Sequence, residues 1–154
     1  ALNAAVPGEF RVPPFVSVAV DPRNGRLVAV FADASGPGSN DIDVLVSTSD
    51  NGGRTWTAAR AVADVIMREG DQMQPEIAID RAGRWHLAWL DTRRSASDTS
   101  AQGLVDAWYA RSDDGGLTWR SMRLTEQPLD STRTNWSPFA ANFVLQFVGD
   151  YIGL

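Results

Sequence analysis

Short runs of apolar residues, mostly β-branched or aromatic, alternate along the chain with clusters of Gly, Asp, Asn and Pro. Such runs predict β-strands, and the segments DPRNG, DRAG, SGPGSN, DNGG and DDGG between them predict turns. No stretch keeps a helical period beyond about two turns, so the pattern predicts an all-β chain in which only the loop at 63–73 can hold a helical turn. The predicted strands are 15–21, 26–33, 42–49, 55–63, 75–80, 84–91, 104–112 and 118–126.

The chain also repeats itself. VAVDPRNGRLVAVFAD (18–33) matches IAIDRAGRWHLAWLD (77–91) with one residue fewer in the turn, and IDVLVSTSDNGG (42–53) matches VDAWYARSDDGG (105–116). A third match aligns TAARAVA (57–63) with RSMRLTE (120–126). Each repeat is therefore one supersecondary unit of four strands.

Repeated four-stranded antiparallel units are typical of β-propeller blades. A two-sheet sandwich is the alternative, and it accounts for the strands but not for the repeat. The propeller interpretation treats 1–154 as a single segment. It places blade one at about 10–63, blade two at about 74–127, and the start of a third blade or a ring-closing strand at 137–154.

The closest internal match joins SDNGGRTW (49–56) and SDDGGLTW (112–119), here called the first and second box turns. Asn51 and Asp114 are expected to accept hydrogen bonds from backbone N–H groups two residues on, and the glycines to supply positive φ angles. The tryptophans are expected to bury their rings between sheets. A calcium loop is disfavoured because the oxygen-ligand spacing and terminal Glu are missing. The structural residues of the two turns are Ser49, Asn51, Gly53, Thr55, Trp56, Ser112, Asp114, Gly116, Thr118 and Trp119.

This pattern, Ser-x-Asp-x-Gly-x-Thr-Trp, resembles the Asp-box, or BNR repeat, of sialidases and their relatives. The second box turn matches it fully, and the first has Asn51 where the family has Asp. The resemblance implies a sialidase-like propeller with these boxes at the blade periphery, away from an active site. Asp-boxes also occur in propellers without sialidase chemistry, so the motif implies the fold more strongly than the activity.

The same resemblance implies where catalytic groups would lie. Phe10-Arg11-Val12-Pro13 is similar to the Phe/Tyr-Arg-Ile-Pro motif whose Arg binds the substrate carboxylate, and an Arg fork suits that contact. The family's acid/base Asp lies in the loop that corresponds to 32–43, where Asp41 is the candidate because Asp33 and Asp43 have counterparts in the second repeat. The nucleophilic Tyr, its Glu partner and two further arginines are implied to come from later blades.

Further candidates follow from position. Arg93 and Arg94 come directly after a strand of blade two and are candidates to line a ligand funnel, and Trp136 is the loop tryptophan most free to stack on a sugar. His86 lies on a predicted strand without clustered ligands, so neither a metal site nor a Ser-His-Asp role is expected. No cofactor is expected either.

Composition narrows the partners. The 154 residues are 44% apolar, enough for one core, and the absence of cysteine excludes disulfides and thiolate chemistry. The 19 acidic and 14 basic side chains give a net charge of −5 without a basic cluster, which disfavours nucleic acid and anionic membranes. No apolar run is long enough to insert into a membrane. A secreted or cell-surface, bacterial location follows only from the resemblance.

Three functional hypotheses remain. The leading one is a non-catalytic Asp-box module that binds carbohydrate or assembles, either as a homo-oligomer, with a trimeric ring favoured, or with the missing blades of a longer chain. The second is an exo-α-sialidase-type glycoside hydrolase, or a fragment of one, in which Arg11 holds a carboxylate and Asp41 is the acid/base. The third is a structural protein-interaction scaffold.

Overall fold

A computed structural model of the chain describes residues 15–34, 41–62, 70–94 and 103–131. Strands account for most of these ranges, in agreement with the predicted all-β class. The first repeat contains β1 (Val16–Val20), β2 (Leu27–Ala34), β3 (Ile42–Ser49) and β4 (Arg60–Ala61). The second contains β5 (Gln72–Ile79), β6 (Trp85–Asp91), β7 (Leu104–Ser112) and β8 (Arg120–Arg123), and is followed by β9 (Leu129–Asp130).

Each repeat forms its own antiparallel sheet. The strand orders are β1-β2-β3-β4 and β5-β6-β7-β8, with β9 added beside β7. Because neighbours in the sheet are also neighbours in sequence, each sheet is an up-and-down meander of the kind that builds a propeller blade. The fold is therefore all-β and consists of two blade-like sheets, here called blade 1 and blade 2, as the repeat predicted.

Registers show which residues are equivalent in the two blades. Val30 pairs with Val46 in blade 1, and Ala88 pairs with Tyr109 at the same positions of blade 2, so the alignment of the second and third strands is confirmed. The last strand differs by one residue. Val62 N donates to Val44 O in blade 1 and Leu124 N donates to Ala107 O in blade 2, so Leu124, and not Thr125, is the counterpart of Val62.

One face of each sheet makes the core between the blades. In blade 1, the apolar face that packs on blade 2 is called the back face. In blade 2, the face that contacts blade 1 is called the front face. The second face of each blade takes the other name, so that the two front faces are equivalent in the repeat, as are the two back faces. The back face of blade 1 contributes Ala19, Val28, Val30, Val44, Val46 and Val62. The front face of blade 2 contributes Ile77, Ile79, Trp85, Leu87, Trp89, Trp108, Ala110 and Trp119.

Two strands depart from the predicted limits. β4 has two residues where 55–63 was predicted, because residues 50–55 form the box turn and only Arg60 and Ala61 pair with β3. β5 begins at Gln72, before the predicted start at 75, and contains an irregularity in register between Met73 and Glu76. The predicted loop at 63–73 is thus strand at its last two residues, and 63–69 lie outside the described ranges. No helix within those ranges is long and apolar enough to cross a membrane.

Candidate functional site

The strands give the pair of blades two chemically different ends. Both box turns lie at one end, because each connects the third and fourth strands of its blade. The ends of β2 and β6 and the starts of β3, β5 and β7 lie at the opposite end, here called the acidic end. Its carboxylates include Asp33, Asp41, Asp43, Asp71, Asp91 and Asp106.

The box turns are closed by their own side chains. Ser112 Oγ accepts from Gly116 N at 2.8 Å, and Asp114 Oδ1 accepts from Leu117 N and Thr118 N at 3.1 and 2.9 Å. The acceptor therefore reaches N–H groups three and four residues on, and the expectation of two residues on was wrong. The Thr118 hydroxyl and backbone N–H lower the pKa of Asp114 to about 2. The turn is a folding element, and both oxygens of its ionised carboxylate already accept hydrogen bonds from within the turn.

The first box turn reproduces these bonds with an amide. Asn51 Oδ1 accepts from Thr55 N at 2.9 Å, and Asn51 Nδ2 donates to Thr55 Oγ1 at 2.7 Å. The two tryptophans that close the turns differ in burial, since Trp119 is 8% exposed and Trp56 is 42% exposed. The expectation that both rings are buried between sheets is therefore wrong for Trp56, because no sheet covers the front face of blade 1 in the described part of the chain.

At the acidic end, Asp71 connects the two blades. Its Oδ1 accepts from Ile42 N, at the start of β3, at 3.0 Å, and its backbone N–H donates to Thr92 Oγ1 at 2.8 Å. Thr92 N donates in turn to Asp71 O at 2.9 Å. Burial, opposed by the Ile42 N–H and reinforced by the carboxylates of Asp41, Asp43 and Asp91, raises the pKa of Asp71. Sequence reasoning missed this residue because it lies in a loop without a motif.

The strand that follows Asp71 is distorted. Gln74, which is 6% exposed, has a φ of 50°, a left-handed conformation that is unusual for a residue other than glycine. It lies within the irregularity between Met73 and Glu76. Bulges of this kind redirect side chains near functional sites in other proteins. The start of β5 is therefore a place at the acidic end where the backbone is held in an unusual conformation.

The predicted acid/base candidate, Asp41, also lies at the acidic end. It is an exposed residue directly before β3. Partial desolvation of its carboxyl group is the main cause that raises its pKa, and the nearby Asp43 carboxylate is the second cause. A raised carboxyl pKa is the property that a general acid needs. Two other predicted ligand residues, Arg11 and Trp136, lie outside the described residues, so their roles stay predictions.

Arg93 is fixed by its own blade. Its Nε and Nη2 donate to the two Asp91 carboxylate oxygens at 2.8 and 2.6 Å, and its guanidinium lies 3.8 Å from the centre of the Trp108 ring. Asp91, which is fully buried, also accepts from Trp89 Nε1 at 3.0 Å. The Trp89 and Trp108 rings stack with centroids 6.3 Å apart. One of the two guanidinium edges that can bind a carboxylate, the Nε/Nη2 edge, is therefore already occupied.

Arg94 is held in a similar way. Its Nε donates to Asp106 Oδ2 at 3.1 Å, while Thr125 Oγ1 donates to Asp106 Oδ1 at 2.7 Å. Arg94 keeps about a third of its side chain exposed. Both predicted arginines thus lie at the acidic end, where they stabilise the β6 and β7 termini, and their role as ligand residues stays a prediction.

His86 was expected to have no clustered ligands, and the structure places two polar side chains beside its ring. Its ring nitrogens lie 2.6 Å from the Tyr109 hydroxyl and 3.4 Å from Asp80 Oδ2. Sequence reasoning missed this cluster because the three residues belong to a turn and to two different strands. Among the described residues, no group of three or more His, Cys, Asp and Glu side chains could hold a metal ion.

The fold and the two box turns together define an all-β protein of propeller-blade-like sheets. No protein-family model matches the chain, and no curated protein matches it. Among solved structures, the chain is similar to the Hadza microbial sialidase Hz136, with 18% identity and a TM-score of 0.51 over 69% of this chain and 24% of that one. It is also similar to a protein of unknown function from Dyadobacter fermentans, with 17% identity and a TM-score of 0.50 over 87% of this chain and 38% of that one. The likeness is one of fold, and the chain spans less than two fifths of either structure.

The raised pKa of Asp71 gives a pH-dependent prediction. The folded state disfavours the Asp71 anion, so the free energy of unfolding falls as the pH rises above the ordinary value of 3.8 and through the raised pKa. Asn at this position keeps an oxygen acceptor for Ile42 N and carries no charge. Asp71→Asn is therefore expected to unfold at a higher urea concentration than the wild type at pH 7, with the difference shrinking as the pH falls to about 4.

The control for this comparison is Asp114→Asn, which places in the second box turn the residue that the first one has. Because the pKa of Asp114 is lowered, its ionised form stabilises the fold, and the Asn variant is expected to lose stability at pH 7. Equal stability of Asp71→Asn and the wild type at pH 7 would show that Asp71 is not a strained anion.

Proposed function

We propose that the chain is a non-catalytic, sialidase-like propeller module whose role is assembly through the front face of blade 1. The observation that carries this proposal is an internal difference between the blades. Val18 is 53% exposed, whereas Ile77, its counterpart in blade 2, is 4% exposed beneath blade 1. Equivalent faces are therefore both apolar, but in the described part of the chain another sheet covers only the one in blade 2.

The uncovered face extends over the whole of β1 and the first box turn. Val16 and Val20 are also more than half exposed, and Trp56 is 42% exposed where Trp119 is buried. Contiguous exposed apolar side chains on a sheet are a feature of interaction surfaces. The blade pair itself indicates what fits such a face, since the front face of blade 2 is covered by valines from another sheet.

A second sheet of that kind comes either from further blades of a longer chain or from another copy of this chain. A preparation of this chain alone offers only the copy, so self-association through blade 1 is expected. A head-to-tail ring of copies would place the back face of blade 2 on the front face of blade 1, whereas a two-fold contact would join two front faces. Both arrangements use the same valines.

The lack of catalysis is supported by the two arginines at the acidic end. Arg93 uses its Nε and Nη2 groups on Asp91, and Arg94 Nε contacts Asp106, so both guanidinium groups already have a carboxylate partner within blade 2. Carbohydrate is the ligand class that the sialidase resemblance suggests, with Arg11 and Trp136 as its proposed contacts. The raised pKa of Asp41 favours the competing hydrolase hypothesis.

The assembly proposal is tested by placing a charge on the exposed face. Val18→Lys is expected to raise the dissociation constant of self-association at least about tenfold in sedimentation equilibrium, because a lysine buried against valines loses its hydration. Leu117→Lys is the matched control, since Leu117 is 73% exposed on the second box turn, away from that face. Equal dissociation constants for the two variants would refute the proposed surface.

The hydrolase hypothesis has its own decisive result. Turnover of a fluorogenic sialoside by the 154-residue chain, lost in both Asp41→Asn and Arg11→Ala, would overturn the non-catalytic proposal. Binding to a glycan array that is lost in Trp136→Ala would identify the module as a carbohydrate binder, and absence of any glycan binding would leave assembly as its role.

A further inference from the structure

The back face of blade 2 differs in chemistry from the back face of blade 1. Val28 and Val46 lie at the centre of the contact between the blades, at most 1% exposed. Their counterparts in blade 2 are His86 and Tyr109, which are both partly exposed. Blade 2 has thus replaced two core valines with a hydrogen-bonded pair of titratable side chains, on a face that the described residues leave open.

These two side chains belong to a chain of three. The Tyr109 hydroxyl lies 2.6 Å from His86 Nδ1, and His86 Nε2 lies 3.4 Å from Asp80 Oδ2, near the outer limit for a hydrogen bond. Asp80 also accepts from Arg84 N and from Arg84 Nε, and these bonds lower its pKa, so it is an anion. A carboxylate at Nε2 favours a proton there and leaves Nδ1 as the acceptor for the phenol proton.

This arrangement has the geometry of an activated nucleophile: a hydroxyl bonded to a base that a carboxylate orients. We propose that Tyr109 is a nucleophile, with His86 as its base and Asp80 as a positioning residue, that accepts acyl groups from small, uncharged, activated esters. The site adds ester chemistry to a module that we propose is non-catalytic toward glycosides. It lies on the back face of blade 2, which stays open when two front faces of blade 1 meet and is covered in a head-to-tail ring. The class of ester follows from the surroundings, because Met122, which pairs with Tyr109 across β7 and β8 and is 56% exposed, offers an apolar contact for the acyl group.

Access to the site is sufficient for a small molecule. The side chains of His86 and Asp80 are 25% and 27% exposed. Ala88, which is opposite Tyr109 in the register, takes the place of the larger Val30 of blade 1. Arg111 pairs with His86 across β6 and β7, and the positive charges of Arg84 and Arg111 disfavour a cationic substrate, while both are already paired with Asp80 and with a carboxylate of the second box turn.

Acyl transfer and hydrolysis need no reactant other than the ester and water. The Tyr109 oxygen bonds to the acyl carbon while its proton passes to His86 Nδ1; the ester C–O bond breaks, and the departing oxygen takes that proton. Water then attacks the acyl-tyrosine, and His86 accepts a proton from the water and returns it to the Tyr109 oxygen as the acyl bond breaks. The products are an alcohol or phenol and a carboxylic acid.

The test uses p-nitrophenyl acetate with the full chain, at a concentration where the chain is a monomer and the back face of blade 2 is open. We expect release of p-nitrophenolate and an acetyl group on Tyr109 in peptide mapping, with Tyr151, the other tyrosine, as the reference. His86→Val installs the residue of blade 1 and is expected to slow acetylation of Tyr109 roughly 100-fold. Tyr109→Phe is expected to abolish the adduct at this position.

Asp80→Asn separates positioning from folding. Asn keeps an Oδ1 acceptor for Ala82 N and Arg84 N, which close the turn, and changes the group that faces His86. Acetylation is expected to slow, while the variant, which loses its ion pair with Arg84, stays folded with a modestly lower thermal unfolding midpoint. An acetyl group on His86 or elsewhere with Tyr109 unmodified, or equal rates of Tyr109 acetylation in the wild type and Asp80→Asn, would overturn the proposal even if His86→Val fails to fold.

Discussion

Asp91→Ala is expected to lower the free energy of unfolding by about 3–5 kcal/mol, the usual result of removing one partner from a buried ion pair. Asp91 is fully buried and accepts hydrogen bonds from Trp89 Nε1 and from the Arg93 backbone and side chain. Its loss leaves a largely buried guanidinium without its carboxylate and a buried indole N–H without its acceptor. Urea unfolding of the variant and the wild type at pH 7 measures the difference.

The chain supplies a matched control at the equivalent position of blade 1. Asp33 is exposed and accepts from Ala34 N at 2.8 Å. Asp33→Ala is therefore expected to cost less than about 1 kcal/mol. Equal losses for the two variants would show that the Asp91–Arg93 pair contributes nothing beyond its place in the repeat.

Gly116→Ala is expected to destabilise the fold by roughly 2–5 kcal/mol. Gly116 has a φ of 82°, which costs a side chain about 1–2 kcal/mol, and a Cβ at this position would lie 2.6 Å from the buried Trp85 ring. Overpacking of a core typically costs a further 1–3 kcal/mol. Thermal or urea unfolding of the variant gives the total.

Comparison with Gly115→Ala isolates the cost of the collision with the Trp85 ring. Gly115 has a φ of 74°, and nothing lies within 4 Å of a Cβ built on it, so this variant has the backbone strain without the collision. It is expected to be about 1–3 kcal/mol more stable than Gly116→Ala. A smaller gap would mean that the second box turn moves away from Trp85 at little cost.

Local sequence signals were sufficient for most of the fold. The limits of β2, β3, β6 and β7 agree with prediction to within a residue, because turn residues flank each strand and the strand residues are β-branched or aromatic. The internal repeat supplied the equivalences of Asp33 with Asp91 and of Asp43 with Asp106, and the registers agree with it, since Asp33 lies opposite Asp43 and Asp91 opposite Asp106. It also assigned these carboxylates to the repeat architecture, which left Asp41 as the distinct one.

Contacts between residues that are distant in sequence could not be predicted from such local signals. Asp71 acquires its role from Ile42 in the other blade, and nothing in the letters GDQM at 70–73 indicates that contact or the early start of β5. The different burial of Trp56 and Trp119 depends on which sheet faces each box turn. Likewise, the approach of His86 to Tyr109 depends on the register that pairs β6 with β7, and the two residues are 23 positions apart in sequence.

The central claim is that the front face of blade 1 is a contact surface, and the solution mass of the 154-residue chain tests it most directly. Light scattering coupled to size exclusion is expected to give a discrete multiple of 16.7 kDa, a dimer if two front faces meet or a trimer if a ring closes. The same measurement on Val18→Lys is expected to give the monomer. A wild-type chain that remains a monomer at concentrations where such contacts form would contradict the account.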